Sequence, residues 1–580
     1  MFHSRSRLPY PEEIMPMRSV VSAFALLVLL GHPVAAAVVI PPSTTLVEQG
    51  IAVLGAGDAE ALTKPTAKSI KTFIDKYVDR IEAWHVANSS PAPALLECFK
   101  TNGDLRREFW LAISPRHDDA KAALAIMEAL RAKDARKLAQ YKHLAIAIAV
   151  VHDQPGNASR SRHFCLWGVQ DQQFGKPLEW EAVWNYFTDV KRQDKFVFKP
   201  QDLAWPLMVH LVDLDVGQDE IAWLDKEFSR FKLTNDMVGD FYAMVPYDYD
   251  KLSHKGTGLG DKPYVLENLK KYGGVCVDQA HFASRMAKLF GVPSMKCAGQ
   301  GRYGGAGHAW SGFLAIDAKT RFPLLSFTGR YQYDYYYTGN SCDPQTGTPV
   351  LDRAIELLYA GVSGRYESYV NASILTRAAL SLEADQPVLA LALVKEAFKQ
   401  NDCIADAWHL AMRLAVAKIM TIKDTERVWL TMTQALVLRH PDLVADCLPI
   451  YLQSPSLDTD AKRHKTYLDT YAAFGLAKRP DLQIKIRLMH LDELAQKNRS
   501  KEVVQLAFEA VGPNIKEGAM VMPLVQRVVE LSKAFAVSDK TFQIQMVKSC
   551  LEKYAADFPK QRGNDVAPAW LEFERLMKSL

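Results

Sequence analysis

"GGVCVDQAHFASRMAKLFGVP", Gly273 to Pro293, is the stretch that decides how the middle of this chain folds. Two glycines allow a sharp turn into a helix that begins at Cys276. Small or apolar residues follow at Ala280, Ala283, Ala287 and Phe290, a helical stripe able to pack close to a sheet. Gly291-Val292-Pro293 ends the helix, glycine as its C-terminal cap and proline preventing continuation. Cys276 therefore stands at a helix N-terminus, where unpaired N–H groups and the helix dipole favour a thiolate. The same N–H groups suit a developing oxyanion.

A thiol nucleophile needs a base. His308 lies 32 residues further on in "GGAGHAWSGFLAID", at the mouth of a strand behind a glycine-rich loop. A cysteine on a helix start facing a histidine on a strand is the arrangement thiol catalysis requires. Inside the loop, "GQGRYG" spells G-x-G-x-x-G, but it opens a strand and not a helix, so a dinucleotide site is rejected. The plainer readings are a buried structural cysteine and a core histidine beside Trp310.

G-G-V-C, a helix closing in G-V-P, then G-H-A-W opening a strand: this order resembles the transglutaminase-like superfamily of papain-fold cysteine enzymes, over residues 241–350. The resemblance implies an α+β core, Cys276 as nucleophile and His308 as general base. It also implies an acid on the strand returning after the histidine strand, and here the sequence departs from the pattern. Asp317, nine residues past His308, is ~30 Å away along an extended strand at ~3.3 Å per residue. A hairpin turning near Lys319 makes "FPLLSFTGRY" the return strand and brings Phe327 and Thr328 beside His308. Thr328 is then the expected third member, with Ser326 and a bent-back Asp334 as alternatives. A hydroxyl accepts the imidazole N–H but stabilises an imidazolium less than a carboxylate does. A catalytically lapsed site is thus the rival expectation. Tyr247 or Tyr249 in "VPYDYDK" is the expected second oxyanion donor. The tyrosines between 331 and 337 read as a sheet face and edge, or as the lining of a peptide cleft.

The flanks are helical. "AKAALAIMEALRAK" and "YKHLAIAIAVVHDQP" carry apolar residues at three- and four-residue intervals, and "FGKPLEWEAVWNYFTD" continues that pattern. "DLDVGQDEIAWLDKEF" is no calcium loop: its glycine comes fifth, and its twelfth residue is Leu224 where a bidentate Glu is needed. Helix capping by Asp219 is the expectation instead. Beyond Leu351, "EAFKQNDCIADAW" aligns with "QALVLRHPDLVADCL" at a spacing of 38, and Pro480 follows Pro441 by 39. Helix pairs joined by Pro-containing turns suggest a degenerate solenoid resembling tetratricopeptide repeats, which bind protein or peptide; an irregular helical bundle is the alternative.

At 580 residues several domains are expected. A 48% hydrophobic, 23% charged composition argues for folded domains. Seventy basic against 66 acidic residues leave no footprint for nucleic acid. "MRSVVSAFALLVLLGHPVAAAVV" has the basic n-region, apolar stretch and A-x-A site of a signal peptide, with Met15 or Met17 as the start. The eight cysteines show no zinc spacing, and no cysteine follows the cleavage site to carry a lipid anchor. If two paired, Cys276 and Cys297 are the pair considered. The expected organisation is a signal peptide (1–37), a mainly helical domain (38–240), the transglutaminase-like core (241–350) and a helical-repeat domain (351–580). The expected product is an exported thiol enzyme, periplasmic or secreted, acting on protein or peptide amides. It would use no cofactor, metal, calcium or nucleic acid, have no membrane association after cleavage, and offer a protein-binding face on its repeats.

Overall fold

In the computed structural model Cys276–Leu289 is an α-helix, and every residue from Asp278 to Leu289 is buried. The small-residue stripe explains only one side of that burial. The other sides carry charge, and each charge is paired. Arg285 Nη2 donates to Asp215 Oδ2 at 2.8 Å, Lys288 meets the Asp213 carboxylate, and Lys251 Nζ lies 2.7 Å from Asp278 Oδ2. "DLD", unsuitable for calcium, supplies the counter-ions of this helix. Isolated charges could not be buried here; matched, hydrogen-bonded ones can. The next helix, Gln218–Glu227, has Gly217 as its N-cap, and Glu220 reaches back to the Gly217 N–H at 2.8 Å. Asp219 sits inside the first turn, so its expected role as the cap is corrected: the glutamate three residues past the cap has the reach.

The helix packs on a five-stranded antiparallel sheet of β1 (Ser294–Gly299), β2 (His308–Ile316), β3 (Pro323–Thr328), β4 (Asn340–Cys342) and β5 (Pro349–Leu351), in the order β3-β2-β1-β4-β5. The "DPQTG" stretch makes the β4–β5 turn, with Gly347 N–H on Asp343 O at 2.8 Å. The β2–β3 loop runs from Asp317 to Phe322, whose carbonyl accepts from Asp317 N–H at 2.9 Å, and the Asp317 carboxylate caps Lys319 N–H and Thr320 N–H. This loop sets Thr328 opposite Ser311 and Ser326 opposite Phe313, so neither faces His308. The turn is centred between Lys319 and Thr320, close to where it was expected, but the pairing counted out from it carries the return strand three residues past Thr328 before it comes level with His308.

The structure describes residues 66–114, 117–154, 177–253, 258–299, 308–320, 322–330, 338–363, 365–535, 537–562 and 565–580. The expected signal peptide, Asp334 and the 331–337 tyrosines lie outside them. The chain divides into two compact units, whose described residues run 66–460 and 461–580. That division falls inside the stretch expected to be one repeat domain, and none falls at 240 or 350. Within the larger unit, Arg107 grips the Glu367 carboxylate through two 2.7 Å hydrogen bonds. Arg377 Nη1 donates to Ile113 O at 3.2 Å, and Gln345 to Asp118 Oδ2 at 2.7 Å. The N-terminal helices thereby join those beyond the sheet into one body.

After β5 the described chain is helical apart from one short β-hairpin near its end. Pairs such as Pro387–Gln400 with Ala405–Val416, then Ile422–Leu436 with Pro441–Tyr451, follow one another through short turns, several opened by proline at the first helical turn. The 461–580 unit has its own core, including Leu491, Val503, Ala507, Val525, Val547, Leu551 and Phe573. The fold is therefore mixed helical with a small antiparallel sheet.

Candidate functional site

Three local features aim Cys276. The helix Leu266–Tyr272 stops at Gly273, whose φ of +83° turns the chain back, and Gly274 pairs with the Pro246–Asp248 segment through Gly274 N–H to Pro246 O and Asp248 N–H to Gly274 O, both 2.9 Å. Asp278 then caps the new helix, accepting Val275 N–H at 2.7 Å, with Tyr264 Oη donating to it at 2.8 Å. Gly274 leaves room for that cap: a Cβ there would lie 2.4 Å from the Asp278 Cβ. Cys276 is half-buried, a free thiol like Cys297, so the two do not pair.

His308 opens β2 opposite Gly299. Leu314 N–H bonds Pro293 O beyond the start of β1, whereas Asp317 N–H bonds Phe322 O at the β3 side. Even-numbered residues of β2 thus turn their backbone groups to β1, and odd-numbered ones to β3. The β3 ladder ends at Ser311↔Thr328, which leaves Ala309 without a strand partner on that side. Cys276 and Tyr242 fill the gap. The Ala309 N–H faces the Cys276 sulfur, and the Ala309 carbonyl accepts from Tyr242 Oη at 2.8 Å. The Cys276 sulfur thereby lies on the side of the residue that follows His308.

One partner of the imidazole is backbone. His308 Nε2 lies 2.6 Å from Gly329 O. A carbonyl only accepts, so Nε2 carries the proton and the lone pair belongs to Nδ1, the tautomer suited to a general base. Gly329 directly follows β3 with φ +74° and turns its carbonyl onto the ring. Thr328, the expected third member, is engaged elsewhere: its hydroxyl donates to Gly239 O at 2.7 Å. Its place as orienting group is taken by the Gly329 carbonyl. Tyr249 is 67% exposed, while Tyr247 bridges to Gly274 beside the helix start.

Burial pushes the Cys276 thiol above its ordinary value, and the neighbouring Asp278 charge adds to this. The N–H groups of Ala309, Val277 and Cys276 itself pull it back down. Burial lowers the His308 imidazole, and the Gly329 carbonyl partly restores it. At rest both groups are held towards neutral, thiol and imidazole. Burial is the largest of these influences on the thiol, so the expected resting thiolate is not favoured. Among the described residues no group of three or more metal-ligating side chains occurs.

Sequence reasoning reached Cys276 and His308 but missed Tyr242, Gly329 and Asp278. Asp278 had a signal, the acidic N3 position of a helix start. Gly329 had a weaker one, a glycine directly after a strand. Tyr242, in "DFYAM", had none. No family model, no curated protein and no solved structure matches the chain.

Proposed function

We propose that the 66–460 unit carries a transglutaminase-like thiol centre that cleaves amide bonds of proteins or peptides through a Cys276 thioester. The reading rests on one observation: Cys276 stands at a helix start with its sulfur facing the N–H of Ala309, the residue that follows His308, and Gly329 sets the His308 tautomer. In the first step Sγ attacks the amide carbon and its proton passes to His308 Nδ1. The C–N bond breaks as that proton goes to the leaving amine. Water then attacks the thioester, its proton passes to Nδ1, and the C–S bond breaks to restore the thiol. The Cys276 N–H is the first oxyanion donor in this scheme. An amine in place of water gives crosslinking by the same route. Export follows from the first 37 residues as read above, and peptide capture from the helical pairs; among the described residues no helix is long and apolar enough to cross a membrane.

The rival reading is a lapsed centre within a helical binding protein. A main-chain carbonyl meets His308, and burial holds sulfur and imidazole towards neutral. One experiment separates the two. Wild type and Cys276→Ala are incubated with a glutamine-containing peptide library, scoring new peptide N-termini, released ammonia and incorporated amine. Turnover lost in Cys276→Ala supports the enzyme. No turnover, together with iodoacetamide alkylation of Cys276 that His308→Ala leaves unchanged, refutes it and leaves the binding protein.

A further inference from the structure

Tyr242 touches the main chain at Cys276, Ala309 and Gly329 and belongs to none of the expected roles. It lies in the 3-10 segment Asn235–Met244, which packs on the Cys276 helix and on β2 and β3. Its hydroxyl donates to Ala309 O at 2.8 Å and stands 3.4 Å from the Cys276 carbonyl. Its ring lies against Gly329 so closely that a Cβ there would be 2.3 Å from Cε2 and Cζ. One buried side chain therefore spans the nucleophile's backbone, the residue that joins nucleophile to base, and the glycine that orients the base. The ladder between β2 and β3 has already ended, so no strand pairing does this work. The segment is itself tied to β3, because Thr328 Oγ1 donates to Gly239 O at 2.7 Å.

We infer that Tyr242 is the positioning residue that fixes Cys276 against His308, its hydroxyl through the backbone of Ala309 and its ring through Gly329. The inference rests on the thiol-centre reading above. Tyr242 contacts no reacting atom in this scheme. It acts by holding two main-chain segments that strand pairing no longer holds, and a misplacement of about 1 Å between reacting groups is enough to cost ~10²-fold in rate.

The test is the rate of Cys276 alkylation by iodoacetamide in the folded full chain, from pH 6 to 10, read by peptide mapping. Four proteins are compared: wild type, Tyr242→Phe, His308→Ala and the double variant. Tyr242→Phe keeps the ring and removes the hydroxyl. The expected result is a fall of about three- to ten-fold near neutral pH, the size of one net hydrogen bond, and no further fall when it is added to His308→Ala. A merely structural tyrosine would lower stability yet leave the effect of His308→Ala the same in both backgrounds, which would overturn the inference. Should Tyr242→Phe not fold, Thr328→Val decides: it releases the segment from β3 without touching the ring, and an unchanged His308 effect overturns the inference. The two proposals fail separately. A wild type in which His308→Ala changes nothing sinks the thiol centre itself; a His308 effect insensitive to Tyr242 sinks only the positioning role.

Discussion

Gly329→Ala is the substitution that most directly loads the join between sheet and site. Gly329 has φ +74°, a conformation that costs an L-residue about 1–2 kcal/mol. The added Cβ would also lie 2.3 Å from Tyr242 Cε2 and Cζ, well inside contact distance. The ring is no flexible tip, since its hydroxyl is bonded to Ala309 O at 2.8 Å, so overpacking adds about 1–3 kcal/mol. Restricting the unfolded chain returns about 0.4–1 kcal/mol. The net loss expected is about 1–5 kcal/mol. The reporter is Cys297, fully buried in β1 of the same sheet, whose labelling in a urea series follows opening of this unit rather than of the whole chain. Its labelling midpoint should fall. The His308 imidazole should titrate lower still, because the Gly329 carbonyl is what raises it against burial. A midpoint within about 0.5 kcal/mol of wild type, the range of an ordinary surface substitution, would refute the reasoning: the turn would then accept a side chain without moving Tyr242.

Two further predictions concern the body that carries the site. Arg285→Met removes the guanidinium paired with the fully buried Asp215 side chain and should cost about 3–5 kcal/mol by the same Cys297 labelling. Asp215→Leu added to it should recover most of that loss, and a strictly additive double variant would mean the two are not a pair. His85 stacks on Trp110 with ring centroids 4.8 Å apart, and burial, aided by the Arg377 charge, lowers its pKa to about 4. Its folded pKa lies below the unfolded one, so its contribution is complete above pH ~6.5 and is lost as pH falls towards 4. His85→Phe removes that loss. Its stability relative to wild type should rise by about 2 kcal/mol between pH 8 and pH 5, measured in paired urea titrations; a pH-independent difference would show that His85 does not titrate against folding.

Much of the centre of the fold was legible because its signals are local. The glycine pair, the small-residue stripe and the G-V-P ending marked the Cys276 helix, and G-H-A-W marked the start of β2. Other elements were misjudged for reasons of reach. The β2–β3 register turns on the exact centre of the hairpin, between Lys319 and Thr320, and an offset of one or two residues there moves every partner on the return strand. The helix at Gln218 is capped by Glu220 from its N3 position, which the letters single out only once Gly217 is known to be the N-cap. The long helical stretch past 351 looked continuous in sequence, yet its packing divides it at 460.

The sequence alone determined which residues could do chemistry here, since only a side chain can be a nucleophile or a base, and both occur at recognisable starts of elements. What it could not determine is what holds them. Gly329 orients His308 with a carbonyl, Ala309 faces the sulfur with an N–H, and both are groups that every peptide unit carries, so neither leaves a mark in the letters. Which carbonyl or N–H is available depends on where a strand ladder stops and what packs into the gap. That is settled in three dimensions by Thr328 ending β3 and Tyr242 filling the space beyond it. Even the resting charge of the thiol was a tertiary outcome. The helix start argued for a thiolate, and the burial of that same start argued more strongly against it.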